Sequence, residues 1–150
     1  MKIALALLVL AVPARAWAQE RTVQRADLPA AVARTVATVS QGATVRGFSR
    51  EVENGQTLYE VELRVNGHGK DVTMDSTGAV VEVEEVVAIA SLPSVVQAGI
   101  RAGAGAGTIR YVESVTKHGQ LAVYEAHVVT AGKSSEVKVG PDGKPLTDER

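Results

Sequence analysis

His68, His118 and His127 are the only imidazoles in the chain, and a metal site built on them would draw on Asp71, Glu113 or Glu125. Two ligands are prepositioned when they stand four apart on a helix or two apart on a strand. Glu125 and His127 alone meet that spacing, so the histidines read as structural or solvated, and no cofactor is expected. Hydrolysis requires a nucleophile beside a base, or two carboxylates held in a cleft. The serines fall in turns and loops without a G-x-S-x-G context, and Glu82, Glu84 and Glu85 read as the wet face of an edge strand running into a linker. Gly103-Ala104-Gly105-Ala106-Gly107 has no strand leading into it and no Lys-Ser/Thr after it, which excludes a phosphate loop and leaves a flexible connection. The residues predict a chain that is not an enzyme.

The elements that position these groups are clearer. Tyr59, Val61, Leu63 and Val65 alternate with Glu60, Glu62 and Arg64, the period-2 signature of a strand buried on one face. Asn54-Gly55 before it and Asn66-Gly67-His68-Gly69 after it are turn signals, and Asp75-Ser76-Thr77-Gly78 separates two further strands, so an antiparallel meander is expected. Asp27-Leu28-Pro29 opens a helix in which Leu28, Val32, Val36 and Val39 share a face. Leu92, Val96 and Ile100 repeat that spacing around a second Leu-Pro, and strands are expected at about 108–116, 120–130 and 135–139. Pro141-Asp142-Gly143 makes the last turn, with Lys144 to Arg150 a weak edge strand or frayed end.

Leu28-Pro29 and Leu92-Pro93 lie 64 residues apart, as do Thr44 and Thr108, Arg46 and Arg110, and Gly55-Gln56 and Gly119-Gln120. After one inserted residue the offset becomes 65 for Tyr59-Glu60 and Tyr124-Glu125, for Val72 and Val137, and for Gly78 and Gly143. This reads as an internal duplication. The expected fold class is α+β, with two tandem repeats over residues 27–87 and 91–150, each one helix packed on an antiparallel three- to four-stranded sheet.

Residues 1–18 combine Lys2, an apolar run from Ile3 to Val12 and the small-residue end Ala16-Trp17-Ala18. This is the pattern of a secretory signal peptide cleaved near Ala18, with an apolar run too short to span a bilayer. Cysteine is absent, so lipidation at the cleavage site, disulfides and thiol chemistry are excluded. Without the leader the chain keeps 14 of its 16 bases and all 17 acids, a net −3. That gives no electrostatic reason to bind nucleic acid or an anionic membrane. A periplasmic or secreted chain without stable membrane insertion is expected.

The Leu-Pro helix openings, the Tyr-Glu-Val-Glu-Leu strand and the Asp-x-x-Gly and Pro-Asp-Gly turns resemble the PepSY and PepSY-like domains of secreted bacterial proteins. The tandem layout is similar to that of the beta-lactamase inhibitor protein. The resemblance spans about residues 27–150 and implies a role towards other proteins, inhibitory or regulatory, with a peptidase or another envelope protein as partner. This chain lacks that inhibitor's cysteines and its dense aromatic surface.

The expected contact surface is the polar sheet face, with Glu60, Glu62, Arg64, Arg110, Glu125 and His127. Phe48 joins them because its alternation partners Arg46 and Arg50 place it on the polar side. Tyr59 and Tyr124 are expected in the core. A small-ligand or metal-sensing periplasmic module is the alternative.

Overall fold

The computed structural model describes residues 20–146; the expected leader and residues 147–150 lie outside the described residues. The strands are β1 (Arg21–Thr22), β2 (Thr44–Glu53), β3 (Gln56–Val65), β4 (His68–Asp75), β5 (Val80–Val87), β6 (Thr108–Lys117), β7 (Gln120–Thr130) and β8 (Lys133–Val139). Helix α1 (Ala30–Val39) precedes β2 and helix α2 (Ser94–Ala104) precedes β6. Four hairpins turn on two residues of positive φ, at Asn54-Gly55, Asn66-Gly67, His118-Gly119 and Ala131-Gly132. That is the type I′ geometry whose twist matches that of the flanking strands. His68, expected in a turn, is instead the first residue of β4.

The two tandem helix-on-sheet repeats expected from the sequence are not what the chain builds. All eight strands form one antiparallel sheet in sequence order, and β5 pairs with β6 from Glu82↔Lys117 to Val87↔Val112. Among the described residues the chain is mostly sheet, with two α-helices laid on one face. A strand edge is a row of unpaired N–H and C=O groups, and joining β5 to β6 removes two such edges at once. This pairing across a helix and two turns leaves no local sequence signal.

Both helices occupy the same side of the sheet. Val32 and Val36 of α1, with Leu28 before it, close over Val61, Leu63, Val72 and Met74. Val96 and Ile100 of α2, with Leu92, close over Val112, Tyr124, Ala126, Val128 and Val139. Tyr124 is buried and Tyr59 packs half-buried at the rim of the first cluster. Helix α2 continues through Gly103, where the sequence suggested a loop. The lost Cβ allows close approach, since one placed there would overlap Val137. That packing outweighs the roughly 1 kcal/mol helical cost of glycine.

Candidate functional site

The side of the sheet away from the helices is the candidate surface, because directly paired residues in an antiparallel ladder share a face. Cross-strand register places Glu62 opposite Asp71, and Asp71 opposite Glu84. The next row runs Ser49, Glu60, Thr73, Glu82 and Lys117. On the other half Glu113 stands opposite Glu125, and Glu125 opposite Lys138. Like charges directly opposite one another destabilise a sheet. The two halves differ in how they meet that cost.

On β6 to β8 the carboxylates find cations. His127 Nε2 lies 2.8 Å from Glu113, and Lys138 lies 3.2 Å from Glu125 and 3.7 Å from Glu136. Lys117 reaches Glu82 at 2.8 Å. The imidazole of His127 also stacks on Tyr111, with ring centroids 4.1 Å apart. Tyr111, His127, Glu136 and Lys138 border an open groove of about 800 Å³ that also touches Arg110, Ser135 and Leu146. No serine hydroxyl hydrogen-bonds His127 among the described residues, so the groove lacks the nucleophile–base contact that acyl transfer needs.

On β3 to β5, Glu60, Glu62, Asp71 and Glu84 have no ion-pair partner among the described residues. Burial is the first cause of the altered acidity of Glu60, Asp71 and Glu84. It raises Glu60 to about 7, reinforced by the charges of Asp71, Glu20 and Glu62. It raises Asp71 to about 6, reinforced by Glu62 and Glu113 and opposed by a backbone hydrogen bond from Leu63. Glu84 rises to about 8, through burial, then through a shared hydrogen bond and charge repulsion with Glu82. Part of this band therefore holds protons near neutrality, and an incoming cation would displace them.

Glu60, Glu62, Arg64, Glu125 and His127 all lie on this helix-free face, Arg64 two residues after Glu62 on β3 and His127 two after Glu125 on β7, opposite Tyr111. Arg110 is exposed at an irregularity between Ile109 and Tyr111. Phe48 is a correction: it faces the helices, opposite Val61, and packs half-buried on the first core cluster. The extra residue at the Val45–Gly47 irregularity shifts the alternation by one. Glu82, Glu84 and Glu85 do not lie on an edge strand, since β5 runs inside the sheet, and Glu85 stands opposite Lys70 on the other face from Glu82 and Glu84. The sequence reading missed the role of Tyr111, whose side is set by the irregularity beside Arg110, and the alignment of Asp71 with Glu84. Among the described residues no group of three His, Asp or Glu side chains converges as a metal-ligand set.

No family model matches the chain, and no curated protein does. Solved structures do share the fold. A BLIP-like protein from Bacteroides fragilis superposes with a TM-score of 0.58 at 16% identity, covering 78% of this chain and 82% of that one. A DUF2874 family protein from Bacteroides ovatus gives 0.63 at 19% identity over 80% and 85% of the two chains. A candidate periplasmic protein from Bacteroides eggerthii gives 0.65 at 15% identity over 80% and 86%. The chain thus has a BLIP-like fold.

Proposed function

We propose that this chain is an exported, non-enzymatic binding module that receives a lysine- or arginine-rich segment of another secreted or envelope protein on the helix-free face of its sheet. The observation that carries the reading is the row Glu62, Asp71 and Glu84, three acidic residues aligned across adjacent strands without an ion-pair partner among the described residues. Such an arrangement costs folding stability, and a partner's cations would recover it. Local rules broken without compensation are where function is expected. The leader-like residues 1–18 support export, as does the description of a fold neighbour as periplasmic. No helix among the described residues is long and apolar enough to cross a membrane. The PepSY-like motifs add the finer reading that the partner is a peptidase restrained by binding.

The test is zero-length carbodiimide cross-linking of the chain in envelope and culture fractions, followed by mass-spectrometric mapping. Cross-links from Glu60, Glu62, Asp71 or Glu84 to a partner's lysines are expected, and capture should fall with rising salt. A triple variant, Glu62→Gln with Asp71→Asn and Glu84→Gln, should lose the partner while staying folded. Capture that survives the triple variant, or links only from the helix side, would overturn the assignment.

A further inference from the structure

The ladder between β5 and β6 stops at Val87↔Val112, while β6 begins four residues earlier at Thr108. Thr108–Tyr111 therefore has β7 on one side and, among the described residues, no strand on the other. Beside this free stretch lies a groove of about 460 Å³ with an apolar floor of Val86, Val87, Ile89 and Ile109. Its charged lining consists of Arg101 and Arg110 with His68 beside them, and among the described residues no carboxylate borders it. In a chain whose sheet face is crowded with carboxylates, a groove whose charged lining is two guanidinium groups is selective for anions. Arg101 is steadied by Gln97 at 3.2 Å, and the Arg110 side chain makes no hydrogen bond or ion pair among the described residues.

We propose that this notch binds the carboxyl-terminal end of an extended peptide whose last side chain is apolar. The terminal carboxylate pairs with Arg110 and Arg101, the last side chain rests on Val86, Ile89 and Ile109, and the peptide backbone pairs with Thr108–Tyr111. Each part of the occupant answers a separate feature. Only a peptide satisfies the free strand edge, only an anion suits the arginines, and only an apolar side chain suits the floor. A fatty carboxylate would leave the strand edge unpaired. The notch adjoins the helix-free face, sharing Arg110 and Tyr111 with the groove beside His127, and this assignment does not rest on the function proposed above.

The probe is an acetylated hexapeptide ending in Thr-Val-Leu with a free carboxylate, compared with the same peptide as its amide and with octanoate. Binding to the whole chain is followed by fluorescence anisotropy and by backbone amide shifts. The free acid should saturate and shift the amides of Val86, Ile109 and Arg110. The amide should bind about tenfold more weakly or worse, the scale of one lost charge-assisted hydrogen bond. Arg110→Gln and Arg101→Gln should each weaken the free acid, while Arg34→Gln on α1 should not. Equal binding of acid and amide, shifts confined to the carboxylate face, octanoate binding as well as the peptide, or no saturation by the free acid would each overturn the proposal.

Discussion

Asp71 on β4 and Glu84 on β5 stand directly opposite one another in the ladder, and burial holds both above the usual carboxylate range, at about 6 and about 8. A carboxyl group whose folded pKa exceeds its unfolded value stabilises the fold while protonated. That contribution is complete below the unfolded value and is lost as pH rises through the folded one. For Glu84 the window runs from 4.5 to about 8. Thermal stability should therefore fall across this window, and Glu84→Gln, uncharged throughout, should flatten the fall. Unfolding midpoints for both proteins at the two ends of the window provide the measurement. An equally deep fall in the variant would show that Glu84 does not carry the effect.

Gly78 is a second point where a small change has a calculable consequence. Its φ is +82°, its carbonyl accepts a 2.7 Å hydrogen bond from Thr35, and a Cβ there would stand 2.7 Å from the Ala31 carbonyl oxygen. The β4–β5 turn is thus seated on the backbone of α1. Gly55 has a similar φ of +79°, but a Cβ there would meet nothing within 4 Å. Gly55→Ala should cost about 1–2 kcal/mol, the left-handed penalty alone. Gly78→Ala should cost about 2–4 kcal/mol, because the helix contact must also shift. Denaturant melts of the pair measure the difference, and equal costs would mean that the seat on α1 contributes nothing.

Much of this arrangement is legible locally. The alternation from Tyr59 to Val65 assigns Glu60, Glu62 and Arg64 to the helix-free side because the period of a strand is a property of each residue and its neighbour. Phe48 and Tyr111 escape that logic, since one extra residue, Arg46 or Arg110, reverses the side of every residue after it in the strand. The junction of β5 with β6 escapes for a different reason. It depends on the satisfaction of two strand edges after the chain has folded back, and the residues of β5 read equally well as an edge. Glu84 consequently reads as a solvated charge in the sequence and is half-buried in the sheet.

Ala131 occupies a position that its side chain disfavours. It sits at φ +50° in the β7–β8 turn, where Asn54 and Asn66 occupy the equivalent places of two other hairpins at +49°. Asparagine tolerates this region by local hydrogen bonding, whereas alanine does not. Ala131→Asn should stabilise the chain by about 0.5–1 kcal/mol, and Asn54→Ala should destabilise it by a similar amount. Two unchanged midpoints would mean that backbone strain at these turns is negligible.

The continuous sheet makes a prediction about cooperativity. Met74 is fully buried in the cluster under α1, whereas β7 and β8 pack under α2 against a second cluster. Met74→Ala should cost about 2–5 kcal/mol through lost burial and the cavity left behind. In two independent units that loss would leave exchange in β7 unchanged. Here the ladder from Glu82↔Lys117 to Val87↔Val112 ties the halves together, so opening the first cluster exposes the edge of β6. The slowest-exchanging amides of β6 and β7, around Val112, Ala126 and Val128, should therefore lose protection by about the same free energy as those of β3 and β4. Native-state hydrogen exchange of the variant reports both sets at once. Unchanged protection at Val112, Ala126 and Val128 beside a weakened β3 and β4 would show that the shared ladder does not couple the two clusters.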